Sequence, residues 1–372
     1  MKIGVLTFHF AHNYGAMLQA YALTTKLKSM KYDAEIIDFR LKYIYDNYEK
    51  KNLLKLIAYY RNHGNSVILA VLKAIKNYPH FRFRDKKWKR FEIFLNSVLP
   101  KSKRIYAYNE INRIGYNYVI LGSDQIWNST LTHGLSPYYF GIGINDEIKK
   151  IAYAASNGHD DIPECLWQTF EKYIKSIQSI SVREDGLSSF LKTKGIKNTR
   201  VLDPIFLLDK KEWNTIAIIP NEKDYILSYS FNESPRYFER ITKVANIMGK
   251  QLICLNFKKH HLPHYIKQCY ENGPQEFLGY FNNASFVITN SFHGTAFAIL
   301  YEKQFVVIPP IKRRERIDSL LNLFDLKCQL IEDNQEFDNI PFVEYNIVNN
   351  ILFKERKKSI DYLLSNLNNK AQ

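Results

Sequence analysis

Short apolar runs recur along this chain, and most end in glycine or small polar residues before a helical stretch begins. Ala284-Ser285-Phe286-Val287-Ile288 leads into Thr289-Asn290-Ser291-Phe292-His293-Gly294-Thr295-Ala296. Tyr118-Val119-Ile120-Leu121 leads into Gly122-Ser123-Asp124-Gln125-Ile126-Trp127-Asn128, and the first run, residues 3–7, into Phe10-Ala11-His12-Asn13-Tyr14-Gly15. Strands of this length alternating with helices specify an α/β fold. Ligands of open α/β sheets bind beyond the carboxyl ends of the strands. The polar turns therefore predict one shared crevice.

Further strands are expected near 34–38, 150–154, 179–182 and 199–202, the last leading into Asp203-Pro204. A helix is expected at about 16–30. A second unit begins after Pro220, with strands at 225–230, 251–255, 284–288 and 304–308 and helices at 235–248, from Gly273-Pro274 onward, and at 317–323. The simplest architecture is two Rossmann-like domains facing a central cleft. The first covers 1–205, and the second, carrying the Ser-Phe-His-Gly turn, covers 222–345. A last helix at about 346–367, within a C-terminal segment 346–372, is placed to pack back across the junction. The turn after the first strand is not a GxGxxG, so no dinucleotide site is implied.

Charge is unevenly distributed. The chain carries a net charge of +15. Residues 50–104 hold fifteen Lys/Arg against two Asp/Glu, which accounts for nearly all of it. Helices at 53–60, 67–75 and 86–95 are expected there, as a basic insert in the α/β pattern. Tyr59, Tyr60, Phe81, Phe83, Trp88, Phe91 and Phe94 are interleaved. Such a segment is a solvated helical face or a contact for an anionic membrane surface. No nucleic-acid motif accompanies it. Four cysteines without metal spacing argue against a metal site or a disulfide framework. A first strand at the N-terminus and no long apolar stretch point to a cytoplasmic protein, peripheral on the membrane at most.

The strand-end residues carry the chemistry. His293, on a strand-to-helix turn, can donate a proton near neutral pH. Backbone amides of Gly294 and Thr295 at the helix start suit an anion. Arg183, at another strand end, is a bidentate clamp for carboxylate or phosphate, or pairs with Glu184 or Asp185. Asp124 can serve as a base or cap its own turn. Asn13, Gly15, Ser123, Ser156, Asn290 and Ser291 line the same strand ends. Arg313, Arg314 and Arg316 follow the strand at 304–308.

Taken in order, these marks resemble the polysaccharide pyruvyl transferase family. They are Asn13-Tyr14-Gly15-Ala16 with Gln19, Gly122 to Asn128, Ala152-Tyr153-Ala154-Ala155-Ser156, Ser181-Val182-Arg183-Glu184, Asp203-Pro204, Gly273-Pro274 with Phe277, and Thr289 to Gly294. The resemblance implies a fold similar to the two-domain GT-B glycosyltransferases. It implies phosphoenolpyruvate as donor, no resident cofactor, and a sugar with two nearby hydroxyls as acceptor, lipid-linked in some cases. The product would be a cyclic pyruvate ketal, with phosphate released. By the resemblance, Arg183 contacts phosphoenolpyruvate and His293 is the acid. Some relatives carry Arg two residues before that His. Here the position is Ser291, and Arg314 or Arg316 can supply the charge. Two other readings fit the residues: a GT-B glycosyltransferase using a nucleotide sugar, or a non-catalytic carbohydrate- or membrane-binding protein.

Overall fold

The computed structural model describes residues 1–46, 48, 53–231, 234–255, 262–309, 314–332 and 341–368, the side chains of 79–84 excepted. The first half contains β1 (Lys2–Leu6), α1 (Tyr14–Ser29), β2 (Asp33–Ile36), α2 (Lys42–Tyr45), α3 (Leu53–Asn62), α4 (Val67–Ile93), β3 (Tyr118–Leu121), β4 (Lys149–Ala155), α5 (Glu164–Ile174), β5 (Ser179–Val182), α6 (Asp185–Thr193) and β6 (Thr199–Arg200). A linking helix, α7 (Lys210–Asn214), leads to β7 (Ile226–Tyr229), α8 (Pro235–Met248), β8 (Leu252–Cys254), β9 (Lys267–Gln268), α9 (Pro274–Asn283), β10 (Phe286–Thr289), α10 (Phe292–Leu300), β11 (Gln304–Val307), α11 (Glu315–Leu323) and α12 (Tyr345–Leu367).

The strands form two parallel sheets, β2-β1-β3-β4-β5-β6 and β11-β10-β7-β8-β9. Each sheet has one point where strand order reverses, between β1 and β3 in the first and between β7 and β10 in the second. Parallel strands are covered on both faces, which is why they read as unbroken apolar runs. The chain is thus α/β, with two Rossmann-like sheets and a cleft between their strand ends, the GT-B arrangement.

The two halves share one apolar core rather than meeting at a wet interface. Tyr14, Met17 and Leu18 of α1 belong to the same buried cluster as Tyr229, Phe277 and Phe297 of the second half. Tyr14 stacks on Phe277 with centroids 4.6 Å apart, and its hydroxyl donates to the Asn272 carbonyl at 2.9 Å. Helix α12 spans both halves. Val348 and Leu352 join that cluster, whereas Tyr362, Leu363 and Leu367 pack with Ile3, Val5 and Leu23 beneath the first sheet. Tyr362 Oη donates to the Ala152 carbonyl at 3.0 Å, and Ser359 Oγ accepts the Leu202 amide at 2.9 Å.

The basic segment differs from its sequence reading. The expected helices at 67–75 and 86–95 are one helix, α4, which continues through Pro79, where the missing amide removes a single intrahelical bond. Its C-terminal end is not an appendage. Phe91, Phe94 and Leu95 are fully buried in the shared core, and Lys101 bridges to Ile36 beside β2. Helix α3 packs on the first part of α4, forming a hairpin. Phe81 and Phe83 lie outside the described side chains. No helix among the described residues is long and apolar enough to cross a membrane.

The role of α12 is open to test. Leu363→Ala removes a fully buried side chain and should destabilise the whole chain by about 2–5 kcal/mol, read as a lowered denaturant midpoint.

Candidate active site

The two strand-order reversals face each other across a cavity of about 540 Å³. Phe8, Ala11, Asn13 and Ala16 line it from the β1–α1 turn, and Asp124 and Gln125 from the turn after β3. Phe231 comes from the end of β7, Asn290 to His293 from the β10–α10 turn, and Arg316 and Ile317 from the start of α11. A volume of this order suits a small ligand and part of a second one.

His293 sits in the first turn of α10, capped by Ser291. Its ring crosses the junction and lies directly against Gly15 at the start of α1. A Cβ on Gly15 would overlap the imidazole, so glycine is needed there for close approach rather than for an unusual backbone. The ring is almost entirely buried. Its Nε2 lies 3.7 Å from Asp203 Oδ2 and has no hydrogen-bond partner among the described residues. A proton on that nitrogen faces the Asp203 carboxylate.

Asp203 anchors the cluster behind the histidine. It caps the short helical turn Pro204–Leu207, with Oδ1 accepting the Ile205 amide at 3.1 Å. Oδ2 accepts Arg183 Nη1 at 2.7 Å and Ser123 Oγ at 3.3 Å. Burial alone would raise this carboxyl, but the neighbouring His293 and Arg183 outweigh it and hold it well below the usual carboxylate range. Arg183 also donates through Nε to Glu184 Oε1 at 2.8 Å, and its Nη2 lies 3.7 Å from Asp124 Oδ1. Burial works against the Arg183 charge, yet Glu184, Asp203 and Asp124 reverse the effect and strengthen it. The Phe292 ring closes over the guanidinium at 4.7 Å.

Several sequence expectations change accordingly. Arg183 is not among the residues lining the cavity. It is buried among carboxylates and meets the lining through Asp124 and Phe292, because the neighbouring Glu184 and two chain-distant acids, Asp124 and Asp203, converge on it. The pairing with Glu184 is present, but buried rather than at the surface. Ser123 and Ser156 are also behind the wall; Ser156 Oγ donates to Glu184 Oε1 at 2.8 Å. The amides of Gly294 and Thr295 are occupied by Ser291, through its Oγ at 3.4 Å and its carbonyl at 2.9 Å. Ser291 is thus the helix cap as well as a lining residue. Arg314 turns away, paired with Asp318 at 3.0 Å and Glu332 at 2.6 Å, whereas Arg316 lines the cavity and approaches the Phe292 ring at 6.0 Å. Arg313 lies outside the described residues.

Asp124 does line the cavity. Its backbone takes a left-handed conformation, φ 73°, which Asp tolerates better than most side chains. The Asp124 carbonyl accepts the Ile126 and Ser156 amides at 2.8 and 3.1 Å. No capping bond from its carboxylate is formed among the described residues. Asn13 caps α1 by accepting the Ala16 amide at 3.2 Å and lines the cavity as well. Asn290 lines the cavity from the opposite half and accepts the Phe231 amide at 3.0 Å. Asp203, Gln125 and Phe231 were not singled out as site residues. Position at a strand end was the available signal for all three.

The chain matches the polysaccharide pyruvyl transferase family over residues 13–310. It belongs to that family, and so is a transferase of the pyruvyl transferase class. No curated protein matches it. Solved structures similar to it include the UDP-GlcNAc 2-epimerase of Methanocaldococcus jannaschii in complex with UDP-GlcNAc and UDP, 13% identical over 95% of this chain and 99% of that one, TM-score 0.47. The UDP-GlcNAc 2-epimerase of Neisseria meningitidis is 9% identical over 97% and 93%, TM-score 0.44. The heptosyltransferase WaaC of E. coli is 9% identical over 95% and 99%, TM-score 0.39.

Arg183→Met would strand Asp203 and Glu184 as buried acids. It should destabilise the chain by about 3–5 kcal/mol at neutral pH. The low Asp203 carboxyl stabilises the wild type fully above about pH 4 and ceases to do so as pH falls further. The gap between wild type and variant should therefore narrow below that pH in denaturant titrations. Gly15→Ala should displace the His293 ring. Catalysis should fall as far as in His293→Ala, while the far-ultraviolet circular dichroism stays unchanged.

Proposed function

We propose that the chain transfers the pyruvyl group of phosphoenolpyruvate to two hydroxyls of a sugar in a polysaccharide or its precursor. The product is a cyclic ketal and inorganic phosphate. Family membership supports the reaction class. The observation that carries the mechanism is His293, which lines the cavity where both halves meet and has its Nε2 3.7 Å from Asp203, itself paired with Arg183.

Protonated His293 delivers its proton to the methylene carbon of the enol phosphate. The adjacent carbon becomes an oxocarbenium-like centre. A first sugar hydroxyl attacks it and gives its proton to Asp124, the carboxylate on the cavity wall. Phosphate then leaves with the bond electrons, and the second hydroxyl closes the ring on the same carbon. Of the two hydroxyl protons, one replaces that taken from His293 and the other leaves with phosphate. Asp203 does not touch the reacting atoms; it stands beside the imidazole and positions it. Arg316 is the cation at the cavity wall that meets the anionic donor. Asn13 and Asn290 offer polar contacts from opposite halves. Arg183 acts through Asp203, not on the donor itself.

Phosphate release from phosphoenolpyruvate should require a sugar acceptor and be found with at least one member of a galactose, glucose and mannose panel. His293→Ala should lower turnover by about 10²–10⁴. Asp203→Asn should lower kcat with little change in KM for phosphoenolpyruvate, and Arg316→Ala should raise that KM. Thermal stabilisation by a nucleotide sugar, with none by phosphoenolpyruvate and no phosphate release, would overturn the proposal in favour of glycosyl transfer.

A further inference from the structure

The α3–α4 hairpin is amphipathic in the reverse sense. Along the first turns of α4, the residues turned to α3 are small: Ala70 and Ala74 are fully buried. The large aliphatic ones face outward, with Ile68 74%, Leu72 59% and Ile75 56% exposed. Their spacing of four and three residues places them on one stripe. Leu69 widens the stripe, and Leu54 of α3 is likewise 74% exposed. A helix that serves only as a solvated arm has its polar residues on this face. Here the chain exposes what a folded protein ordinarily buries.

The surroundings of the stripe say what covers it. From Lys50 to Arg84 there is not one Asp or Glu, and eight Lys/Arg. Lys73 and Lys76 are exposed on the same turns of α4. A second copy of the hairpin would oppose like charges. An anionic bilayer complements both properties at once: acyl chains accept the aliphatic stripe, and acidic headgroups attract the lysines. Tyr59, 41% exposed, and Tyr78, 37% exposed, are suited to the interfacial zone between them.

We infer that the α3–α4 hairpin docks this protein on an anionic lipid bilayer, with the Ile68–Leu72–Ile75 face lying in the headgroup region. The contact is mechanically joined to the cleft. Near the end of the same helix the Phe91 ring lies tilted against Tyr14, centroids 5.1 Å apart, and Arg90 pairs with Glu276 of the second half at 3.0 Å. Docking therefore holds the cavity at a set orientation to the lipid surface. The inference stands apart from the reaction assigned above and is tested without measuring activity.

The test is co-sedimentation of the full-length protein with vesicles of phosphatidylcholine alone or phosphatidylcholine mixed with phosphatidylglycerol. Binding is expected only with the mixed vesicles, weakening as salt rises. The Ile68→Ser/Leu72→Ser/Ile75→Ser variant should lower partitioning at least about tenfold with an unchanged melting temperature, since all three side chains are more than half exposed. Lys73→Glu/Lys76→Glu should weaken it as well. Equal partitioning to both vesicle types at low salt would overturn the inference, as would binding that neither variant reduces. So would a self-associated state in sedimentation velocity that the triple serine variant abolishes, because the stripe would then be an interface between copies.

Discussion

Three consecutive residues at the start of α1 hold the two halves of this protein in the arrangement on which everything else depends. Asn13 caps the helix and lines the cavity. Tyr14 stacks on Phe277 and donates to the Asn272 carbonyl, fixing the second half against the first. Gly15 withholds a side chain where the His293 ring must lie. The junction and the site are therefore one structure. An apolar core that runs from α1 through α9 and α10 makes relative movement of the halves costly near this point, so the histidine is presented in a set position.

Behind the ring, the electrostatics are arranged in a chain. Arg183 supports Asp203, and Asp203 stands beside His293 Nε2 without bonding to it. A fully desolvated cation is tolerable because Glu184, Asp203 and Asp124 surround it, and the low carboxyl of Asp203 is tolerable for the reciprocal reason. The arrangement places a persistent negative charge next to an imidazole whose own nitrogen faces no other acceptor.

Much of the fold could be read along the chain, because parallel strands buried on both faces leave unbroken apolar runs and their turns leave glycine, serine and asparagine. Helix α8 was legible to the residue, opened by Ser234 and closed by Gly249 in the left-handed region. Helix α4 was not. Charge counting across 50–104 hides a switch at its end, where Phe91, Phe94 and Leu95 turn from insert to core. The site was legible as a set of turns but not as a set of contacts. Asp203 is twenty residues from Arg183 in sequence, and the pairing that removes Arg183 from the cavity wall depends on β5 and β6 lying side by side. Likewise the amides of Gly294 and Thr295 look available until Ser291 is seen to accept or cap them.

What the sequence determined by itself was the set of strand-end turns and the kind of residue in each, because backbone geometry at a turn selects residues locally. It also determined that one segment is strongly basic. Which turns face one another was decided only by the tertiary structure, since the two strand-order reversals are brought together by packing between residues hundreds of positions apart. The same packing chose Arg316 over Arg183 and Arg314 for the cavity wall. It also turned the aliphatic side of α4 outward and buried Ala70 and Ala74 instead.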